Sequence, residues 1–360
     1  MKRTVLFTGA GASKLLGCPI TREFLPLVRK ELRTGDLFED FRDGDGRKEN
    51  KLRKQLHRDL RGLLPGFDEA DDAALPLITD VLSLVDYSLL SASTPVAGRS
   101  LSELRELRQL LEMALFDLLV DLEPAGKPAK LLAKLGRWIR SHGGSSKRQI
   151  SVVSTNYDII IDWELFEHYA DDPKLAAGID LGFPWWDPQH NPGRLYPRPA
   201  AADFGLYKLH GSLNWVRCSF CEHITMNTDY QIMYQAYREQ GDIDKDNTCW
   251  CEHAPFDGLI VAPSLVRDVR EPNLMAVWSA ALEALRIADH WIIAGYSLPT
   301  EDIAIRSMLI RASQRGKSNP LEVTVIQHGC DDATRNRYKL LFPKCDYRTD
   351  GMEAFINSLA

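Results

Sequence analysis

The chain has 360 residues, of which 44% are hydrophobic and 26% charged, so there is enough apolar material to bury a large core and disorder is excluded as its main state. Its length fits two or three domains, or one domain with large insertions. Forty-four Lys and Arg against 50 Asp and Glu leave a net charge of -6, which excludes coating of nucleic acid by bulk charge and leaves direct contact to a local basic patch.

The chain opens on Met1-Lys2-Arg3-Thr4. The apolar run behind it, Val5-Leu6-Phe7, is too short for a signal peptide. No apolar run further on reaches the ~18 residues of a membrane span. The expectation is a cytoplasmic protein without membrane contact, whose seven cysteines are thiols or metal ligands and not disulfides. Residues 4–8 form a short β-branched and aromatic run, followed at once by Gly9-Ala10-Gly11-Ala12-Ser13 and then by helical sequence. A buried strand running into a glycine turn is the usual opening of a nucleotide-binding α/β sheet.

Residues 22–145 read as mostly helical, too long for a simple crossover and best taken as a helical insertion. Residues 102–122 carry Leu104, Leu107, Leu110, Leu111, Leu115, Leu118 and Leu119 at helical spacing, and 128–140 form a second helix. Residues 36–50, with six acids and two glycines, read as a loop. Residues 42–61 hold eight Lys or Arg against four acids, a pattern that suits a solvated helix face. Further strands are expected at 149–154, 206–210, 291–295 and 321–327, with a weaker one at 259–263. Several are almost continuously apolar, as in a parallel sheet covered on both faces. Residues 183–199 carry five prolines with Trp185, Trp186 and Tyr196, and read either as an ordered loop or as a lid.

Four polar motifs stand at strand ends. Gly9 to Ser13 would let a pyrophosphate approach backbone N–H groups at a helix start, or would be a plain strand-to-helix turn. Ser154-Thr155-Asn156-Tyr157-Asp158 places an amide and a carboxylate where ligands bind in such sheets; Asp158 would otherwise cap the next helix. His210, before Gly211, is positioned for general-base work or is a structural histidine. Gly295, Tyr296 and Ser297 suit a phosphate or a ribose. Cys218-x-x-Cys221 and Cys249-x-Cys251 supply two close thiolate pairs for a tetrahedral structural zinc, with His223 and His253 as possible substitute ligands.

The order GAGAS, STNYD, LHGS, four cysteines, GYS resembles the sirtuin superfamily, over Val5 to about Gln327. The wording STNYD, KLHGSLNW and AGYSLP is similar to its bacterial branch of antiphage-defence NADases. The resemblance implies a Rossmann-like doubly wound parallel sheet in residues 1–217 and 252–360, with the insertion at about 22–145 and a small zinc module in 218–251. It also implies that Gly9, Ala10, Gly11, Ala12 and Ser13 line the pyrophosphate of NAD+, with Thr155 beside it. Asn156 and Asp158 would hold the nicotinamide ribose and a water, His210 would be the base, and Gly295, Tyr296 and Ser297 would face the adenosine half. The implied activity is NAD+ hydrolysis to nicotinamide and ADP-ribose. The implied partners are an HerA-type ATPase, an Argonaute-like protein or another defence component. Separately, residues 102–122 carry more leucine than one amphipathic face needs, so they either build a homo-oligomer partly through the insertion or pack on the domain's own sheet. The deacylases of the superfamily carry GIPDFR after the glycine loop, where this chain reads Gly17-Cys18-Pro19-Ile20-Thr21-Arg22-Glu23-Phe24. Their peptide-binding stretch is not recognisable at 261–265. An NAD-dependent protein deacylase and a non-catalytic NAD or ADP-ribose sensor are the alternatives.

Overall fold

Apolar runs without polar alternation need cover on both faces, and parallel pairing between helices provides it. The computed structural model describes residues 2–41, 46–91, 98–143, 149–169, 171–187, 194–218, 220–226, 249, 251, 256–260, 272–300, 302–315, 320–329 and 331–359. It divides into two units, one of Met1–Cys18, Glu123–Leu259 and Asp268–Ala360, the other of Pro19–Leu122 and Ile260–Arg267.

The first unit holds strand β1 (Thr4–Thr8) and the one-turn helix α1 (Ala10–Ser13). The second unit supplies α2 (Thr21–Thr34), α3 (Arg47–Leu63), α4 (Ile78–Ser91) and α5 (Leu101–Val120). The first then resumes with α6 (Lys127–Ser141), β2 (Ile150–Ser154), α7 (Ile160–Phe166), α8 (Asp172–Gly178), β3 (Ile179–Asp180), β4 (Trp185–Asp187), β5 (Arg194–Tyr196), β6 (Phe204–Lys208), β7 (Gly211–Cys218), β8 (Ile224–Met226) and β9 (Phe256–Ile260). It closes with α9 (Pro272–Ile287), β10 (His290–Ala294), α10 (Ile303–Ser313), β11 (Glu322–Ile326), α11 (Asp332–Leu341), β12 (Asp346–Arg348) and α12 (Gly351–Ser358).

Seven strands form one wholly parallel sheet in the order β12-β11-β10-β1-β2-β6-β3. Helix α6 packs on α7 and α12, and α9 packs on α10. Every residue of β2 and β6 is buried, as continuous apolar runs require. The fold class read from the sequence, a doubly wound α/β sheet, is the one observed. From β1 the chain moves outward through β2 on one side, and through β10, β11 and β12 on the other. The winding therefore reverses between β1 and β10, and the crevice beyond their carboxyl ends is where such sheets hold ligands.

Some boundaries differ from the expected ones. β6 ends at Lys208, so His210 stands outside the strand, in the turn to β7. The weak candidate at 259–263 overlaps β9 at Leu259 and Ile260 only, its other residues lying outside the described ones, and β9 belongs to a second sheet, β5-β4-β8-β7-β9. The Pro- and Trp-rich segment contributes two strands of that sheet. β4 and β5 pair antiparallel, with Trp185 and Tyr196 buried and their rings 4.6 Å apart; residues 188–193 lie outside the described ones. That is ordered sheet and gives the lid reading no support.

The second unit is helical. Of the expected loop at 36–50, Glu39–Phe41 forms a 3-10 turn and α3 begins at Arg47. On α3 the two acids, Glu49 and Asp59, are buried, and Asp59 is gripped by Arg99 at 2.7 Å. Arg47, Lys51, Lys54, Arg58 and Arg61 are exposed, which is the solvated basic face. Of the leucines of α5 that suggested an oligomer, Leu104, Leu107, Leu110, Leu111, Leu115 and Leu119 are buried and Leu118 is half-buried, and α5 packs on α2, α3 and α4 within its own unit. One stretch, Asp72–Leu90, is apolar and long enough for a membrane span by composition, against the reading that none exists. Its continuous α-helix is only the 14 residues of α4, and Ile78, Val81, Leu82 and Val85 of that helix are buried.

A buried ion pair fastens two strand ends together. Lys208, at the end of β6, is 1% exposed and places Nζ 2.8 Å from Oδ2 of Asp162 on α7, itself 3% exposed. The same ammonium donates to the carbonyl oxygens of Asp158 and Tyr157. Burial pushes the Asp162 carboxyl upward, and the Lys208 charge opposes that push. Lys208→Met should therefore strand a buried carboxylate at a cost of roughly 3–5 kcal/mol. The double variant Lys208→Met, Asp162→Leu should recover most of that loss in thermal unfolding; a Lys208→Met melting temperature equal to wild type would refute the account.

Candidate functional site

The four motifs follow β10, β1, β2 and β6, which are four neighbouring strands of a parallel sheet. All four loops therefore gather along one edge, although they span residues 9 to 297 of the sequence.

The glycine loop meets the β10 loop backbone to backbone. Gly9 N–H donates to the Ala294 carbonyl at 3.0 Å and Gly11 N–H to the Gly295 carbonyl at 2.9 Å. A Cβ on Gly295 would lie 2.0 Å from the Ala12 nitrogen, and Gly295 has φ +63°. A Cβ on Gly9 would lie 2.7 Å from Tyr296 Cα. The glycines are thus required by this loop-on-loop contact, whatever else they admit. Ala12 N–H is also engaged, with the Gly9 carbonyl at 2.8 Å.

Asn156 is 8% exposed and reaches beneath the glycine loop. Its Nδ2 donates to the Gly9 carbonyl at 3.1 Å and to Ser13 Oγ at 2.9 Å. A carbonyl can only accept, so the amide's NH2 must face Gly9. That leaves Oδ1 turned the other way, buried and without a partner among the described residues. Ser212 Oγ and Thr8 Oγ1 are likewise buried and unpartnered among those residues. Buried polar atoms are normally paired, and unpaired ones at the ligand edge mark where a ligand hydroxyl or a water belongs. Thr155 is tied to the end of β1, both its N–H and its hydroxyl donating to the Thr8 carbonyl at 3.0 and 3.3 Å. Asp158 accepts from Ile160 N–H at 3.3 Å, an Asx-type turn leading into α7, whose N-cap residue is Ile159 and not Asp158.

His210 is 2% exposed. Trp278 fixes the turn by donating its indole N–H to the Leu209 carbonyl at 2.8 Å. The imidazole faces the rings of Tyr157 and Trp278, each at 6.4 Å between centroids. Tyr296 turns inward. Its hydroxyl donates to Asp302 Oδ2 at 2.7 Å, and its carbonyl accepts from Gln327 and Tyr338 at 2.7 and 2.6 Å. Ser297 is exposed, its carbonyl held by Arg337 at 3.0 Å. The structure thus joins Asn156 to Gly9 and Ser13, sets the glycine loop against Gly295, commits the Tyr296 side chain to Asp302, and leaves Ser297 at the rim. Asp302 and Ser212 were not anticipated. Asp302 before Ile303-Ala304-Ile305 is legible as a helix cap, but its nearness to His210 depends on strand order.

At the far end of β7 the sulfurs of Cys218, Cys221, Cys249 and Cys251 lie within 4.8 Å of one another. Cys218 and Cys251 are 3.5 Å apart, and Cys221 and Cys249 3.4 Å. Four thiolates around one zinc at about 2.3 Å each stand about 3.8 Å apart, so the set fits a tetrahedral ion. Backbone N–H groups of Phe220 and Cys221 point at Cys218 Sγ, each at 3.4 Å. Such donors stabilise a metal-bound thiolate. His223 is exposed and contacts Cys221 Sγ at 3.3 Å from outside the four-sulfur set. His253, residues 261–265 and Cys330 lie outside the described residues. Cys18 is buried and Cys345 half-buried.

A cleft of about 580 Å³ opens at the opposite, amino-terminal edge of the sheet, among Lys2, Asp289, Glu322, Lys344 and Asp346. None of the four motifs touches it.

No protein-family model and no curated protein matches the chain. Among solved structures it is similar to a Sir2 enzyme described for mechanism and regulation, at 14% identity and TM-score 0.43 over 99% of this chain and 89% of that one. It is also similar to Sir2 in complex with the inhibitor EX-527, 2′-O-acetyl-ADP-ribose and a deacetylated p53 peptide, at 10% identity and TM-score 0.41 over 99% and 91%. A third is Sir2 with a p53 peptide and NAD+, at 11% identity and TM-score 0.39 over 99% and 90%.

Two outcomes follow from this geometry. Gly295→Ala must push the glycine loop away, costing about 1–3 kcal/mol or more; a wild-type melting temperature for that variant would contradict the contact. Purified protein should hold about one zinc per chain, because four sulfurs make a closed structural site. Metal analysis of soluble, reduced protein that finds none would remove the zinc assignment.

Proposed function

We propose that this chain hydrolyses NAD+ at the nicotinamide N-glycosidic bond, releasing nicotinamide and ADP-ribose. The observation that carries the reading is the buried, unpartnered Oδ1 of Asn156, beneath the glycine loop and on the same strand-end edge as His210. Nicotinamide leaves as a neutral molecule from a cationic substrate, so no acid is needed for departure. The transition state resembles an oxocarbenium ion, as in other glycoside cleavages. The site must hold the ribose, exclude bulk water and activate one water. Asn156 offers an acceptor to a ribose hydroxyl or to that water. His210 takes the proton of the attacking water, and the one-turn helix with Ser13 lies against the pyrophosphate. Asp158 supports the ribose loop through its turn bond to Ile160 N–H. The four cysteines hold a structural zinc with no open position for chemistry.

Water is preferred to an acyl-lysine as nucleophile because residues 17–24 depart from the deacylase pattern. The sequence wording that resembles antiphage NADases extends the reading to a gated, cytoplasmic effector that depletes NAD+. An ATPase of the HerA type or a second copy of the chain would be its partner.

The test is NAD+ loss, with nicotinamide and ADP-ribose quantified, alone, with candidate partners and with an acyl-lysine peptide. Hydrolysis without peptide is expected. His210→Ala should lower turnover by about 10²–10⁴-fold. Asn156→Ala should abolish it while weakening the fold by only ~1–2 kcal/mol through its two lost hydrogen bonds. Loss of NAD+ only with the peptide, together with O-acyl-ADP-ribose, would establish the deacylase instead.

A further inference from the structure

A second buried carboxylate stands beside His210, and nothing in the reaction described so far uses it. Asp302 is 3% exposed and lies at the start of α10. Its Oδ2 is 3.9 Å from His210 Nε2, beyond a hydrogen bond but within direct charge contact. Two donors fix that carboxylate from other directions, the Tyr296 hydroxyl at 2.7 Å on Oδ2 and the Ile305 N–H at 3.3 Å on Oδ1. It sits at the positive end of the α10 dipole, where a negative charge is favoured. Among the described residues the imidazole is neighboured by Tyr157 from the loop after β2, Trp278 from α9 and Asp302 from the start of α10. Of these three side-chain types the carboxylate is the one that carries charge near pH 7.

We propose that Asp302 is the positioning residue of His210: its anchored carboxylate orients the imidazole and stabilises the imidazolium formed when His210 takes a proton. The inference rests on His210 acting as base in NAD+ hydrolysis. An imidazole that gains a proton in a site this buried needs a compensating negative charge, or the low dielectric opposes the transfer. Tyr296 then serves by locking the carboxylate, which accounts for a motif tyrosine whose hydroxyl points away from the glycine loop and toward α10. The proton passes from water to imidazole and none is taken up by Asp302.

The experiment separates charge from cap. Asp302→Asn and Asp302→Ser both keep an acceptor for the Ile305 N–H, since Asn and Ser cap helices as Asp does. The His210 titration is read by NMR on histidine-labelled protein, with the resonance assigned by its absence in His210→Gln. In both variants the midpoint should fall by about 1–3 units, because an opposite charge within ~4–6 Å has been removed. The acidic limb of the pH–rate profile of NAD+ cleavage should move down with it, and kcat should fall about tenfold or more with KM little changed. Tyr296→Phe, which frees the carboxylate, should give a smaller shift in the same direction. Folded variants with a wild-type His210 titration and pH profile, showing only a lower melting temperature, would reduce Asp302 to a helix cap. If the wild-type protein cleaves no NAD+, the NMR titration still decides the Asp302–His210 coupling, while the hydrolase reading fails separately.

Discussion

The carboxyl edge of the sheet is organised by a contact that tolerates no side chain. Where the winding reverses, the loop leaving β1 and the loop leaving β10 touch through the peptide units of Gly11 and Gly295, and Gly9 abuts Tyr296 in the same way. Because the loops approach this closely, α1 starts at once and presents Ser13 and the Gly9 carbonyl to Asn156 from the next strand. On the other side the contact fixes the peptide of Tyr296, which Gln327 and Tyr338 hold from β11 and α11. The positions of Asn156 and Tyr296, and through Tyr296 that of Asp302, all follow from three missing methyl groups.

A second tie crosses β2 and β6. Lys208 ends β6 and gathers Asp162 with the carbonyls of Tyr157 and Asp158. A buried ion pair seldom adds much stability over a well-packed apolar pair, because both ions lose their water. What it supplies is registration. An ammonium with three donors in one place fixes the loop after β2 relative to the turn that carries His210, where an apolar pair would leave the loop several arrangements. The glycine contact sets the β10–β1 half of the edge and the lysine sets the β2–β6 half.

Much of the sheet was legible in the sequence because its central strands are continuous apolar runs ending in polar motifs, at 4–8, 149–154, 291–295 and 321–327. β3 and β12 have two and three residues, too few to show a period. The second sheet was missed because β4, β5 and β8 have three residues each and lie among prolines, tryptophans and cysteines, which read locally as loop, and because β7 follows the His210 turn and was absorbed into that motif. The surplus of leucine on α5 suggested a partner until three neighbouring helices were found to bury it. The motifs told which residues gather at the edge. They did not tell that the Asn156 amide is spent downward and its oxygen left over, or that a cap residue on α10 would stand against His210. Both depend on which strands become neighbours, which spacing along a chain does not contain.

The central place of β1 also bears on how the molecule is made. Its two neighbours are separated by about 140 residues of sequence, since β2 begins at Ile150 and β10 at His290. At roughly 5–20 residues per second, a ribosome takes about 7–30 s to pass from one to the other. Throughout that interval one flank of β1, Val5, Leu6 and Phe7 included, presents open backbone donors and acceptors with an apolar face, the kind of edge that recruits foreign strands. The ligand edge is incomplete for the same interval, because the loop holding Gly295 has not been made. A nascent chain therefore carries an aggregation-prone strand edge and an unfinished crevice together, and the same pairing of β10 beside β1 closes the one and completes the other.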